Sequence, residues 1–280
     1  MNDMKKYIVS IFFLCFAAVL TSGCSRGKAK PVDPNKSEHI LRIVAYNVGA
    51  FSKYMDDSTQ DVAKMMQELG ADAIALCELD SCNRRHGTFQ IKDFAGILSD
   101  DGSKEWDYRF GRAMKWNGGS YGIGVVVRAD IGDSYVIELP KGEGHEPRAC
   151  VVAETADYVM ASVHLDHKDE DVRTVQAKIL TDELMSRYGL SDKPVFLCGD
   201  FNAAPDSRTL RQLSEDWTLL SEIAPTYPAG NPRICIDYVM ALNNSASYEV
   251  LKTEVCTESE SADVRETSDH LPVYVEVKIR

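Results

Sequence analysis

The 280-residue sequence lacks several features that would assign its class directly. Its eight cysteines include no CxxC pair, which argues against a structural zinc site. No internal repeat or low-complexity block divides the chain. An excess of basic residues is also missing, and the formal net charge is −12. An acidic surface repels polyanions at long range, so a non-specific nucleic-acid binder is disfavoured.

Long apolar runs are absent apart from 14 mostly apolar residues at 7–20. This run follows two lysines and precedes small residues and Cys24, which is the layout of a secretory signal. A transmembrane anchor is the alternative, although the run is short for a bilayer span. The tract resembles a bacterial lipoprotein signal, which implies lipidation of Cys24. We therefore predict a signal peptide at 1–23, a tether at 24–38, and an exported protein that is periplasmic or anchored at the outer membrane.

Strand and helix patterns alternate through residues 39–280, which predicts one large α/β domain of mixed sheets with helices outside. Segments 123–164 predict consecutive antiparallel strands. Cys77 and Cys198 lie in apolar strand patterns, so we expect buried free thiols there. The predicted strands are 41–46, 71–77, 123–128, 135–139, 149–155, 158–164, 195–198, 236–241, 248–255 and 272–279, and the predicted helices are 62–69, 169–188 and 206–213.

Polar residues stand at the ends of these apolar strands. Buried strands normally stay apolar, and loops at strand ends are where α/β folds build their sites. We therefore predict that these residues form one site. They are Asn47, Glu78, His164, Asp200, Asn202, Asp237, Asp269 and His270.

The residue types favour metal-assisted hydrolysis. Glu78 is the best metal ligand, and Asn47 or Asp269 is suited to complete a partly hydrated shell around Mg²⁺, with Mn²⁺ as an alternative. His270 is able to take a proton from water near neutral pH. Asp237 would fix the tautomer of that imidazole by accepting a hydrogen bond from its other ring nitrogen.

Each of these residues also has a structural alternative when taken alone. Asn47 before Val48 and Gly49 is compatible with a plain turn. Glu78 with Asp80 is compatible with a solvated loop. Asp200 and Asn202 are residue types that cap helices, and the predicted helix 206–213 follows them. The joint occurrence of all the clusters favours a functional site over these separate explanations.

Six motifs in sequence order resemble the endonuclease/exonuclease/phosphatase superfamily, which includes deoxyribonuclease I, apurinic endonucleases, inositol polyphosphate 5-phosphatases and bacterial sphingomyelinases. The resemblance extends over residues 41–278 and implies a four-layer fold of two packed mixed β-sheets flanked by helices. The motifs are Ala45-Tyr46-Asn47, Ala75-Leu76-Cys77-Glu78, Ser162-Val163-His164-Leu165, Gly199-Asp200-Phe201-Asn202, Ile236-Asp237-Tyr238 and Ser268-Asp269-His270-Leu271-Pro272.

The resemblance implies a role for each matching position. Glu78 and Asn47 would bind the metal with Asp269 nearby, and His270, oriented by Asp237, would activate or stabilise the attacking water. Asp200 and Asn202 would orient that water and the transferring phosphoryl group.

His164 resembles a histidine that contacts a phosphate oxygen or assists the leaving group in the deoxyribonuclease and sphingomyelinase branches. The apurinic branch is expected to carry a tyrosine there, and it tends to place an aspartate where this chain has Gly49. The sequence is therefore less like a DNA-repair enzyme. Arg148 is a candidate for binding a phosphate oxygen, with a solvated surface charge as the alternative.

Three functions are compatible with these residues. We favour a metal-dependent phosphoesterase, expected to be a monomer, that acts on a small or lipid-derived phosphate ester. The first alternative is an exported nuclease, and the second is a non-catalytic binding lipoprotein. Specificity is expected in segments 82–90, 111–120, 140–147 and 224–233, where Trp116 could stack on a base or sugar or simply pack, as could Trp106 and Tyr108.

Overall fold

A computed structural model describes residues 40–100 and 105–280. These residues form twelve strands and five α-helices. The strands are β1 (Ile40–Asn47), β2 (Ala73–Ser81), β3 (Asp107–Trp116), β4 (Gly119–Val127), β5 (Asp133–Leu139), β6 (Arg148–Glu154), β7 (Val159–His164), β8 (Val195–Asp200), β9 (Trp217–Leu219), β10 (Asp237–Leu242), β11 (Tyr248–Val255) and β12 (Val273–Ile279). The helices are α1 (Thr59–Leu69), α2 (Gln90–Ser99), α3 (Glu170–Tyr188), α4 (Arg208–Leu213) and α5 (Val264–Thr267).

The strands form two mixed sheets of six. The first sheet has the order β11–β12–β1–β2–β4–β3, and the second has the order β5–β6–β7–β8–β10–β9. Each sheet contains a central parallel pair, β1 with β2 in the first and β7 with β8 in the second. The remaining pairings within the described residues are antiparallel. The carboxyl ends of each parallel pair therefore meet at one edge of their sheet.

Alternation along the strands divides the core into three apolar layers. In β1, Ile43 and Ala45 face the space between the sheets with Phe196, whereas Val44 and Tyr46 face the opposite side. That outer side is covered by apolar residues of α1 and α2, and the outer side of the second sheet is covered by α3 and α4. The result is the four-layer sandwich that the family resemblance implied, and it agrees with the mixed sheets and outer helices predicted from the residue patterns.

The structure contains four elements that were not predicted from the sequence. Helix α2 is one of them, although Ile91, Phe94, Ala95 and Leu98 have helical spacing and are buried. The others are strands β3 and β9 and the short helix α5. Segment 111–120, where specificity is expected, is not a loop, because β3 and β4 form a hairpin there with the two-residue turn Asn117-Gly118.

Some predictions fall outside the fold itself. Cys77 and Cys198 are buried free thiols, as predicted, and no disulfide occurs among the described residues. The proposed signal, tether and lipidation site at Cys24 lie outside the described residues. Among the helices that are described, none has the length and apolarity required to cross a membrane.

Candidate active site

Five strands bring the predicted polar residues together, four of them at an end of the strand. Asn47 ends β1, and His164 and Asp200 end the neighbouring parallel strands β7 and β8, where they are register partners. Asp237 begins β10 directly opposite Asp200. Glu78 lies within β2, beside β1. Residues separated by more than 150 positions in sequence are therefore in hydrogen-bond contact, as Asn47 and Asp200 show.

Glu78 is directed into the site by an irregularity in its strand. The pairing of β2 with β4 shifts register between Leu76 and Leu79, and Glu78 has a φ of 62°. A non-glycine residue in this left-handed region costs about 1–3 kcal/mol and persists where the surroundings hold it. Bulges of this kind redirect a side chain. The strain is consistent with a functional role for this carboxylate.

His270 and Asp237 form a buried pair. Asp237 Oδ2 lies 2.9 Å from His270 Nδ1 and also accepts a 2.5 Å hydrogen bond from the Thr226 hydroxyl. Burial lowers the pKa of His270, but the charges of Asp237 and Asp200 outweigh it and raise the pKa to about 10. The pair fixes the imidazole with Nδ1 on the carboxylate, so Nε2 is the atom left for reaction.

Asp200 lies between two imidazoles. Its Oδ2 is 3.4 Å from His164 Nε2, 3.7 Å from His270 Nε2 and 3.1 Å from the Asn47 amide nitrogen. Its Oδ1 accepts the backbone N–H of Asn202 at 2.8 Å. Burial raises the pKa of Asp200 to about 7, against the opposing effect of His270. Burial therefore favours the protonated form of this carboxyl more than in an exposed aspartate.

Arg148 is buried beside His164, with only 4% of its surface exposed. Its Nη1 is 3.2 Å from His164 Nδ1, and its Nη2 is 3.0 Å from His167 Nδ1. Because a guanidinium only donates, His164 accepts at Nδ1 and carries its proton on Nε2. Burial and the Arg148 charge hold the pKa of His164 well below its usual value. The interpretation of Arg148 as a solvated surface charge was wrong.

Asn47 presents its amide nitrogen to the site. This nitrogen donates to Glu78 Oε1 at 3.2 Å and to Asp200 Oδ2 at 3.1 Å, while its oxygen accepts the Gly49 N–H at 3.1 Å. In this orientation Asn47 holds two carboxylates in place. Direct coordination of a metal by Asn47 requires the amide to turn over, so that role stays a prediction.

The remaining predicted ligand, Asp269, forms an ion pair. Its Oδ2 is 2.7 Å from Lys53 Nζ. Possible metal-ligand atoms of three other residues, Asp200, Asp237 and His270, all lie within 4.8 Å of one another. Asp237 and His270 are already bonded to each other, so the carboxylates of Glu78 and Asp200 are the donors that fit a hard divalent cation such as Mg²⁺. Glu78 accepts one hydrogen bond among the described residues, from Asn47.

A cavity of about 580 Å³ is lined by Glu78, Arg148, His164, Asp200, Asn202, Asp269 and His270. Each of the four segments expected to set specificity contributes to its wall, through Arg85, Trp116, Glu146 and Tyr227. Arg85 stacks over the Trp116 ring at 4.5 Å, whereas Trp106 is buried in the core and Tyr108 packs on Phe89. The cavity is also lined by Lys53, Tyr121 and His167, which were not predicted, because a single residue outside a motif gives no functional signal in the sequence.

Two structural alternatives from the sequence are wrong. Asp80 is fully buried and binds Arg85 and His86, so it does not belong to a solvated loop. Helix α4 is capped by Ser207, whose hydroxyl accepts the Leu210 N–H, so Asp200 and Asn202 do not serve as its caps.

The model of the endonuclease/exonuclease/phosphatase family matches residues 44–270, and the chain belongs to this family. Members of the family are hydrolases that act on phosphate esters. A search of curated proteins finds no match.

Solved structures share the fold. A mannosyl-6-phosphatase from Bacteroides thetaiotaomicron is 20% identical with a TM-score of 0.68, covering 85% of this chain and 99% of that chain. A family member from Beutenbergia cavernae is 19% identical with a TM-score of 0.68, covering 86% and 72%. The human Nocturnin catalytic domain, with a bound sulfate anion, is 18% identical with a TM-score of 0.63, covering 86% and 94%.

Proposed function

We propose that this protein is a divalent-metal-dependent phosphoesterase that hydrolyses a small or lipid-derived phosphate ester by attack of water. The observation that carries the proposal is the buried His270–Asp237 pair. The reactive Nε2 of this pair lies 3.7 Å from Asp200, in a pocket that also contains Glu78 and Arg148. This arrangement combines a proton acceptor, a cation ligand and a phosphate-binding cation in one cavity.

The proton of the attacking water is handled by His270 and Asp200. Both atoms facing the pocket, Nε2 and Oδ2, are within hydrogen-bond reach of a single water placed between them. The pKa of about 7 suits Asp200 to accept a proton near neutral pH, and the charged His270 stabilises negative charge that develops on phosphorus oxygens. Asp237 holds the imidazole in position for either task.

The phosphoryl group is held by donors on the other side of Asp200. Arg148 has a buried Nε without a hydrogen-bond partner among the described residues and directs its guanidinium to the pocket. His164, fixed by Arg148, carries its proton on Nε2 for donation to a phosphate oxygen. A divalent cation, when bound, would polarise a phosphoryl oxygen and offset the carboxylate charge, with Glu78 as its ligand.

The size and walls of the cavity support a small substrate. A volume of about 580 Å³ suits a small phosphate ester, and the aromatic residues Trp116, Tyr121 and Tyr227 supply flat surfaces for its organic part. The net charge of −12 opposes long-range attraction of nucleic acid. The fold shared with a mannosyl-6-phosphatase supports including a sugar phosphate among the first substrates tried.

The proposed enzyme acts outside the cytoplasm as a lipoprotein anchored through Cys24. The apolar run and the small residues before Cys24 support this location. Labelling with radioactive palmitate tests it: the wild-type chain should incorporate label in a bacterial host, and Cys24→Ala should not. Equal labelling of both chains would contradict lipidation at Cys24.

The enzymatic proposal is tested with four substrates and purified protein. We would follow phosphate or alcohol release from p-nitrophenyl phosphate, bis-p-nitrophenyl phosphate, mannose 6-phosphate and a lysophospholipid, with Mg²⁺, Mn²⁺ or EDTA. Hydrolysis of at least one ester should require the cation. It should also fall by orders of magnitude in His270→Ala.

A matched control separates the site from general charge effects. Asp182→Asn changes an exposed carboxylate on α3 that is paired with Lys178, so it should retain wild-type rates. Turnover that persists in EDTA or in His270→Ala would overturn the proposal. Nicking of supercoiled plasmid that requires both the cation and His270 would instead establish the nuclease alternative.

A further inference from the structure

Lys53 lies in the pocket wall, although nothing in its sequence context marks it as functional. Its Nζ is 2.7 Å from Asp269 Oδ2, and it also interacts electrostatically with Glu78 and Tyr227. The Lys53 side chain is 41% exposed, while that of Asp269 is only 10% exposed. The ammonium group is therefore anchored on one side and open to the cavity on the other.

The backbone around Lys53 is fixed at both ends. It follows a tight turn at Gly49–Phe51, in which Ala50 and Phe51 have left-handed φ angles. The Ala50 carbonyl accepts a 2.6 Å hydrogen bond from Gln90, and Phe51 is buried. At the far end, the Ser58 N–H donates to the Phe51 carbonyl at 2.7 Å. Lys53 therefore lies in a loop whose two ends are held together by the Ser58–Phe51 hydrogen bond.

Gly49 leaves room for the Lys53 stem. A Cβ built on Gly49 would lie 3.1 Å from the Lys53 Cβ, which is closer than most such contacts. The φ of +52° at Gly49 also favours glycine. The stem of Lys53 therefore crosses directly over the backbone that follows Asn47. The lysine is packed against the same strand end that positions Glu78 and Asp200.

The carboxylates around the pocket create a need for positive charge that Lys53 is placed to supply. Four carboxylates line the pocket, those of Glu78, Glu146, Asp200 and Asp269, and they repel an approaching phosphate dianion. A half-exposed ion pair adds little to stability. The ammonium group of Lys53 also lines the pocket, where it is able to donate a hydrogen bond to a phosphate oxygen. Such a bond is charge-assisted and is therefore among the stronger polar contacts.

We propose that Lys53 is a substrate-binding residue whose ammonium group, anchored by Asp269, donates directly to the phosphate of the substrate on the Glu78 side of the pocket. This inference rests on the proposed function. It assigns to Lys53 a fixed positive charge that complements Arg148, and to Asp269 the task of holding that charge in position.

The experiment measures binding of inorganic phosphate by calorimetry at saturating Mg²⁺ and constant ionic strength. Lys53→Gln should bind phosphate about tenfold more weakly or worse than wild type, which corresponds to one charge-assisted hydrogen bond. Lys53→Arg should recover most of the affinity. Lys64→Gln, an exposed lysine on α1, makes the same change in net charge and should bind phosphate like wild type.

A double variant separates direct contact from neutralisation of Asp269. If Lys53 only cancels the Asp269 charge, Lys53→Gln combined with Asp269→Asn will return to wild-type affinity, and the proposal is overturned. Direct contact predicts that the double variant stays weak. Equal phosphate affinity of wild type and Lys53→Gln, or no phosphate binding by wild type, also overturns it.

Thermal melting identifies a merely structural lysine. A fall in Tm in both Lys53→Gln and Lys53→Arg that accompanies equal loss of phosphate binding would overturn the proposal. Phosphate binding does not require turnover, so the two proposals fail separately. A protein that binds phosphate through Lys53 but hydrolyses no ester would contradict the proposed function and leave this inference standing.

Discussion

The substitution Asp237→Asn probes the centre of the site with almost no change in shape. In the wild-type structure, Asp237 Oδ2 receives both the His270 imidazole at 2.9 Å and the Thr226 hydroxyl at 2.5 Å. If the asparagine oxygen takes this place, the hydrogen bonds survive and the charge is lost. If the amide nitrogen takes it, two donors face each other unless the imidazole changes tautomer.

Either orientation weakens His270. A hydrogen bond to a charged group contributes about 1.5–3 kcal/mol, which is roughly ten- to a hundredfold in rate if it is lost only in the transition state. A wrong tautomer costs more, about 10⁴-fold in the serine-protease triad. We expect kcat to fall by about 10²- to 10⁴-fold, with a smaller change in KM. The pKa of His270 should fall from about 10 towards 6.5, because Asp237 is the carboxylate that raises it most and its charge has gone.

Two assays measure this prediction. Steady-state kinetics on the best ester of the panel gives kcat and KM, and a ¹⁵N NMR titration of metal-free protein gives the tautomer and pKa of His270. Asp182→Asn serves as the control for loss of one carboxylate. Wild-type kcat in Asp237→Asn, together with an unchanged imidazole titration, would refute the role of this pair.

Three further predictions concern the cation, the backbone and pH. Glu78→Gln should weaken Mn²⁺ binding measured by calorimetry by about tenfold or more, since a carboxylate ligand is lost; unchanged affinity would place the cation elsewhere. Gly49→Ala should cost about 1–2 kcal/mol and lower Tm by roughly 2–6 °C, because its φ is +52° and its Cβ would crowd Lys53; an unchanged Tm would contradict this. Metal-free protein should lose stability as pH rises from 6.5 towards about 10. The folded pKa of His270 exceeds its ordinary value, so its stabilisation is complete below 6.5 and lost through about 10. Melting in EDTA should show this slope, and His270→Ala should flatten it.

The fold was largely predictable because its strands are strongly apolar and regular. Segment 195–198, for example, is entirely apolar and short, which is typical of a buried strand, and every residue of β8 is buried. Helix α2 was predictable from its apolar spacing and was overlooked. Strand β3 was not, because it carries Arg109, Arg112 and Lys115 on an edge that is only partly buried. Its pairing partner β4 determines its conformation more than its own sequence does.

The residues of the candidate site were predictable where an ionisable side chain stands next to an apolar strand in the sequence. Asp200 and His270 stand out since such groups are costly in apolar surroundings. The burial of Arg148 and Asp80 was not visible, because their partners come from distant segments that only the tertiary structure brings together. Lys53 illustrates the same limit. Its position depends on the turn Gly49–Phe51, in which Ala50 and Phe51 have left-handed φ angles. The presence of Gly49 in the sequence does not predict that conformation for the two residues after it.

The most direct test of the central claim is to run the hydrolysis in ¹⁸O-enriched water. The claim is that water held by His270 and Asp200 attacks phosphorus. For the fastest ester of the panel with Mg²⁺, mass spectrometry should find one ¹⁸O atom per turnover in the phosphate product and none in the alcohol. Incorporation of ¹⁸O into the alcohol, or no hydrolysis of any ester with Mg²⁺, would contradict the account.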